Sequence, residues 1–191
     1  MTLRTNDEYL GVGRQILPLL GSSLIGPSAV ALSELVRGQN PSADDARISA
    51  EVFLLHKYLL TQACVGVFPE SHVDHIIRGL CTALHERASG LALSPERQQA
   101  MEEMWRIRAE QFDRFFVHDQ QAFLDAQAEP IHWKETISQF CRNVRDNGGD
   151  LDIWTENNGA SHTASQSVTA ALDEMIAGLE EINRAHFSEA V

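Results

Sequence analysis

The sequence predicts an all-α fold, a single-domain antiparallel helical bundle of about five substantial helices plus two short N-terminal ones. Apolar residues recur at helical spacing, glycine and proline interrupt that pattern at intervals, and no stretch alternates convincingly as a strand. Short links between the helices favour antiparallel neighbours. The chain divides into a weakly helical segment (1–41), a main bundle (42–147), a loop (148–163) and a C-terminal helix (164–187).

The N-terminal segment predicts two short helices. Asn6 and the acids that follow it offer a cap and a first turn for a helix toward Leu20, but two glycines and Pro18 are expected to weaken or kink that helix. Pro27 suits the first position of a second helix, which ends before Pro41.

The most apolar run of the chain, Ile48 to Phe68, predicts the helix around which the others pack. Its apolar side chains fall in one wide sector at 3.6 residues per turn, and Lys57 lies opposite. His56 falls near the middle of that sector, so we expect its imidazole to face the core. Ser42 with Asp45 predicts a capping box at the start of this helix.

Two further helices are expected after Pro69. The first ends at Gly90, and the second begins at Pro95 and extends about 34 residues, because no glycine or proline follows before Pro130. The apolar stripe predicted for the long helix comprises Met101, Met104, Trp105, Phe112, Phe115, Phe116, Ala122 and Phe123. Arg108 and Asp119 fall inside this stripe. They are separated by about 16 Å along the helix axis, so they cannot pair with each other.

The last two helices follow Pro130. One carries Trp133 and Phe140 on a single side and stops at the glycines after Asn147. Thr163 with Gln166 predicts a capping box for the final helix, whose apolar residues repeat at spacings of four and three for about two heptads.

Composition and charge exclude several classes of function. The 191 residues carry 27 acidic and 15 basic side chains, and a net charge of −12 repels a phosphate backbone. No run of about 18 uncharged apolar residues predicts a membrane span. The three cysteines lack the spacing of a zinc site or a disulfide framework, so a cytoplasmic protein without a cofactor is expected.

Three polar side chains that point inward are the candidate ligand-binding residues. His56, Arg108 and Asp119 each need a partner or a cavity, because an unpaired buried charge or imidazole is costly. The preferred interpretation is a structural buried network, or a stripe too narrow to bury them, and the alternative is a pocket between helices for a small polar ligand. No catalytic residue and no metal ligand is predicted.

Two short motifs invite a metal interpretation. His72 and His75 stand at a spacing that could hold a metal, but solvated histidines near a helix start are the preferred interpretation. His118-Asp119 resembles the dyad of the HD phosphohydrolases over these two residues only. The resemblance implies an all-helical, metal-dependent enzyme that takes His75 or His85 as the upstream ligand. Its later ligand would be Asp146, Asp150 or Asp173.

Two hypotheses for the function follow. The first is a non-enzymatic helical protein-interaction module of the adaptor, immunity or small regulatory type, which self-associates or covers a protein partner. Its basis is the absence of a catalytic constellation, together with several amphipathic faces and an acidic surface. The second is a helical bundle that binds a small ligand or a metal, the HD-like phosphohydrolase included.

Overall fold

The computed structural model describes residues 4–90, 94–126, 133–145 and 159–187. All regular secondary structure in these residues is α-helical, which confirms the predicted all-α class. The seven helices are α1 (Asn6–Leu24), α2 (Pro27–Gln39), α3 (Asp45–Val67), α4 (Glu70–Ser89), α5 (Pro95–Ala126), α6 (Lys134–Val144) and α7 (Gly159–Phe187).

The chain forms two compact units. Unit 1 comprises Met1–Ser22, Leu59–Glu102 and Leu172–Val191, and unit 2 comprises Ser23–Tyr58 and Glu103–Ala171. Helices α1, α3, α5 and α7 therefore contribute residues to both units. The single-domain organisation stays a prediction.

The core of unit 1 is built around a close approach of α1 and α4. Tyr9, Val12 and Ile16 are buried on α1, and Ile76 and Leu80 are buried on α4. A Cβ atom added to Gly13 would lie 2.5 Å from the Leu80 nitrogen and closer still to the Gly79 carbonyl. Only glycine permits the two backbones to come this near.

Helix α1 is longer than the sequence predicts. It continues through Pro18 and ends at Leu24, where the prediction was a weak or kinked helix that ends near Leu20. Its buried residues recur three or four positions apart and pack on the core, and burial of such a face outweighs the low helix propensity of glycine and proline.

The core of unit 2 is aromatic. Phe112 and Phe116 of α5 are buried, and the Phe116 ring stacks on Trp133 with the ring centroids 4.8 Å apart. The Trp133 indole N–H donates to the Thr169 hydroxyl of α7 at 2.9 Å, which satisfies the one polar group of this buried side chain. His56 of α3 is fully buried in the same unit, which confirms that its imidazole faces the core.

Both predicted capping boxes are wrong. Helix α3 begins at Asp45, and the carboxylate of Asp44, not the hydroxyl of Ser42, accepts a hydrogen bond from a first-turn N–H, that of Ala46. Helix α7 begins at Gly159, so Thr163 lies inside it and donates its hydroxyl to the Gly159 carbonyl. A Ser or Thr followed by an acid or amide also occurs inside helices, where the hydroxyl bonds back one turn.

Among the described side chains of the predicted α5 stripe, burial is confined to the middle, and the Phe123 side chain lies outside the described ones. Phe112 and Phe116 lie in the core, whereas Met101 and Met104 are 48% and 44% exposed, so the stripe prediction is wrong at the N-terminal half of the helix. Periodicity identifies the apolar side of a helix but does not show how far along the axis a neighbour covers it.

The three cysteine thiols are free. Cys64 of unit 1 and Cys141 of unit 2 are buried, and burial raises the pKa of each to about 12. Cys81 is partly exposed.

No single described helix has both the length and the apolar composition to cross a membrane, although the bent pair of α1 and α2 meets that test when taken together.

Candidate functional site

His56 is bonded at both ring nitrogens. Nδ1 lies 2.8 Å from the Val52 carbonyl, one turn back on α3, and Nε2 lies 3.1 Å from the Ser28 hydroxyl of α2. A neutral ring that donates from Nδ1 and accepts at Nε2 satisfies both contacts. Burial lowers the pKa of His56, and the bond to Val52 partly offsets this effect. These contacts account for the imidazole as a structural link between α2 and α3.

Arg108 forms an ion pair with Glu51 of α3. Its guanidinium donates from Nε and Nη2 to the Glu51 carboxylate at 2.7–3.0 Å, and from Nη1 to Gln111 at 3.0 Å. The side chains of Glu51 and Arg108 are 3% and 18% exposed. Sequence reasoning missed Glu51, although its place between Ile48 and Leu55 on one helical face was the available signal.

Asp119 of α5 caps the N-terminus of α6. Its Oδ1 accepts the Glu135 N–H at 3.0 Å, and its Oδ2 accepts the Thr136 N–H at 2.9 Å and the Thr136 hydroxyl at 2.8 Å. Trp133, which precedes α6, supplies no side-chain cap, so a residue from another helix performs this role. Burial raises the pKa of Asp119, and the hydrogen bonds from Glu135 and Thr136 act against that rise. A carboxylate is favourable here because the helix dipole is positive at this end.

Replacing Asp119 with alanine is expected to lower the free energy of unfolding by about 2 kcal/mol, because α6 loses its cap, and the buried Thr136 N–H and the partly buried Glu135 N–H lose their acceptor. Urea unfolding followed by circular dichroism measures the change. Gln120→Ala is the matched control, since Gln120 is the exposed next residue of the same helix. Equal stability of the two variants would contradict the capping role.

The three predicted ligand-binding residues lie in unit 2, and the hydrogen bonds described above give them no common partner. Each side chain is engaged by the protein itself, which favours structural roles. Arg108 and Asp119 have separate partners, as their spacing predicted. Ligand binding by this set stays a prediction.

The residues of the HD resemblance do not form a recognisable metal centre in the described part of the chain. All the Asp119 hydrogen bonds lead to α6, His118 is exposed, and His85 lies 4.0 Å from Glu102 in an exposed pair. Asp146 and Asp150 lie outside the described residues. Among the described residues, no three His, Cys, Asp or Glu side chains are grouped so that they could hold a metal ion.

A second buried histidine, His72, was missed by sequence reasoning. It is 2% exposed, so the prediction of a solvated side chain is wrong for it. Its Nδ1 lies 2.6 Å from the Tyr9 hydroxyl, and its Nε2 is buried and has no hydrogen-bond partner among the described residues. His75 is partly exposed and stacks on the Tyr9 ring with the centroids 4.9 Å apart. The only available signal was the position of His72 at the edge of an apolar sector.

The N-terminal half of α5 carries an exposed apolar surface. None of the described side chains from Glu96 to Gln111 is buried. Met101, Met104 and Ile107 follow one another at intervals of three residues, and all three are exposed. We call these three residues the α5 apolar face.

No protein-family model, curated protein or solved structure matches this chain.

Proposed function

We propose that this chain is a non-enzymatic helical interaction module of the adaptor, immunity or small regulatory type, which works in the cytoplasm by binding protein. The partner that we propose is a second copy of the same chain. The observation that carries the proposal is the α5 apolar face, whose three side chains are exposed in the part of the chain that the structure describes. The occupied polar side chains of His56, Arg108 and Asp119 support it, because each is used to hold helices together.

The chemistry of the α5 apolar face suits a helical partner. Residues three apart lie on neighbouring turns of a helix, so these side chains form a strip that a second helix can cover. Methionine is flexible and polarizable and adapts to irregular surfaces. Ile25 in the link between α1 and α2 is also exposed, as are Val30, Val65 and Val117, but none of these three valines has another exposed large apolar residue at helical spacing among the described side chains of its own helix.

The charged residues beside the α5 apolar face are largely paired within the helix. Arg106 donates to Glu103 at 2.7 Å and to Glu110 at 2.8 Å, and all three side chains are exposed. Two copies with a charge of −12 each still repel one another at long range. Added salt screens this repulsion, so self-association through an apolar face is expected to strengthen with ionic strength.

We further propose that the helices are arranged as the antiparallel bundle that the sequence predicts. Two links support this arrangement: five residues separate α2 from α3, and two separate α3 from α4. Links this short favour antiparallel neighbours.

Sedimentation velocity over a range of protein concentrations tests the function. We expect the wild-type protein to form a dimer, and the double variant Met104→Glu/Ile107→Glu to remain monomeric, because buried carboxylates oppose closure of an apolar interface. Val117→Glu is the matched control, since Val117 is exposed on the same helix about 140° around the axis from Met104.

The control variant is expected to keep the wild-type dimer, and circular dichroism shows that all three proteins are folded. A wild-type protein that stays monomeric at every concentration and salt level would overturn self-association. Loss of the dimer in Val117→Glu alone would place the interface elsewhere.

A further inference from the structure

We propose that His72 is an acid-sensitive latch in unit 1, and that a proton added to its imidazole releases both the Arg4–Tyr9 segment and the Phe187 end of α7 from α4. This inference is independent of self-association. It rests on the contacts of one buried ring with two chain segments that are distant in sequence.

The contacts of His72 join three elements. On the α1 side, the Tyr9 hydroxyl lies 2.6 Å from Nδ1. On the α7 side, the Phe187 ring lies against the imidazole with the centroids 5.0 Å apart. Phe187 also packs edge-on against Phe68, which lies in the link between α3 and α4. Loss of the His72 contacts would therefore loosen both ends at once.

Arg4 reinforces the same junction. Its guanidinium lies over the Phe187 ring, 4.5 Å from the centroid, and donates to the backbone carbonyl of His186. The Arg4 N–H also lies 3.4 Å from the Tyr9 hydroxyl. The junction thus already contains one permanent positive charge beside the aromatic rings that enclose His72.

The titratable groups around His72 do not compensate a second positive charge. His75 stacks on Tyr9, and His186 is bonded through Nε2 to Gln15 of α1. The acids of the α1 segment, Asp7 and Glu8, are exposed, and Glu8 accepts hydrogen bonds from Thr5. The acids on α4 next to His72 are also exposed; they are Glu70 and Asp74. The described hydrogen bonds of His72 include no carboxylate.

A proton on His72 therefore weakens the closed arrangement. Both nitrogens of an imidazolium are donors. The Tyr9 oxygen can accept from Nδ1, but the described part of the chain offers Nε2 no acceptor in the closed state, whereas water accepts from it in the open state. Burial lowers the pKa of His72, and the positive charges of Arg4 and His75 lower it further, so the closed state holds the neutral ring.

The sign of the pH dependence follows from linkage. The open state binds a proton near the ordinary histidine pKa of about 6.5, and the closed state binds it only at a lower pH. The equilibrium constant for opening then rises as the pH falls below about 6.5, by up to about tenfold between pH 7.5 and pH 5.5. Release would expose the buried rings of Tyr9, Phe68 and Phe187, so acid converts this end of unit 1 into an apolar surface.

Hydrogen exchange of the full-length protein, read peptide by peptide by mass spectrometry, tests the latch. After correction for the intrinsic effect of pH on exchange, we expect peptides over residues 4–12 and 180–187 to open up to about tenfold more at pH 5.5 than at pH 7.5. Peptides over α6 in unit 2 serve as the internal reference. Equal protection of residues 4–12 and 180–187 at both pH values would overturn the proposal.

The double variant Tyr9→Phe/His72→Leu removes the titrating ring together with its hydroxyl partner, so that neither is left unpaired. We expect it to lose the acid response at both segments. His85→Gln, a change of an exposed histidine on the same helix, is expected to keep the full response. An acid response that persists unchanged in the double variant would assign the effect to another group.

A measurement on the wild-type protein covers the case in which the double variant does not fold. The imidazole carbon-bound protons of His72, followed by NMR as the pH is lowered, are expected to titrate below the ordinary histidine range. Titration of His72 in the ordinary range with residues 4–12 still protected would refute the latch.

Discussion

Replacement of Gly13 with alanine is expected to lower the free energy of unfolding by about 3 kcal/mol or more. The new Cβ would overlap the Gly79 carbonyl and lie 2.5 Å from the Leu80 nitrogen. These are backbone atoms of another helix, which cannot rotate away as a side chain can, so α1 and α4 must separate and lose packing along their length. Urea unfolding followed by circular dichroism measures the loss.

Gly11→Ala is the matched control for Gly13→Ala. Gly11 lies two residues earlier in α1, and a Cβ there would meet nothing within 4 Å. Because alanine favours the helix over glycine, this change is expected to stabilise the protein by about 0.5–1 kcal/mol. The two substitutions thus have opposite expected signs, and destabilisation of similar size in both would contradict the close helix approach.

Replacement of Glu51 with alanine is expected to cost about 3 kcal/mol, because the Arg108 guanidinium loses a carboxylate that accepts three of its hydrogen bonds and is left partly buried with an uncompensated charge. The same urea measurement applies. Glu103→Ala is the matched control, since its carboxylate also binds an arginine of α5 but is exposed to water. That change is expected to leave the stability almost unaltered.

A third variant separates two effects on the free energy of unfolding: the cost of an unpaired buried charge and the contribution of the ion pair. Glu51→Leu/Arg108→Met replaces both partners with apolar side chains of similar size, and it is expected to be close to wild type in stability or slightly above it. Destabilisation of the double variant as large as that of Glu51→Ala would mean that the ion pair itself contributes strongly to the folding of unit 2.

The positions of most helices could be predicted from the sequence because the signals that start and stop a helix are local. Pro95 begins α5, as predicted, and Gly90 directly follows the last residue of α4. Helix α7 was predicted too short because Gly159 and the residues after it have the composition of a turn. Packing of Ala164 and Val168 in the core makes that stretch helical, and this contact is not visible locally.

The candidate site was only half predictable for the same reason. The inward direction of His56 and Asp119 follows from helix geometry, and both side chains are buried. Their partners do not follow from it, because Ser28 is 28 residues away from His56, and the Glu135 N–H lies 16 residues beyond Asp119. A buried carboxylate can bind a ligand or cap the N-terminus of a helix. Only the position of the second helix decides between these two roles.

His72 and the α5 apolar face show the two opposite failures of pattern reasoning. His72 lies at the margin of its sector, and the Tyr9 that encloses it comes 63 residues earlier in the chain. Met101 and Met104 lie within a regular apolar stripe, yet the part of α5 that holds them carries no buried side chain. Burial depends on where a neighbouring helix ends, and the spacing of residues within one helix does not contain that information.

The buried thiols of Cys64 in unit 1 and Cys141 in unit 2 can report separately when each unit opens. A thiol with a pKa of about 12 is almost entirely uncharged at neutral pH, and only the thiolate attacks an alkylating reagent. Cys64 and Cys141 will therefore stay unmodified until the unit that encloses each of them opens. The rate at which iodoacetamide mass appears on one peptide or the other reports which half of the native protein comes apart first, without any introduced probe.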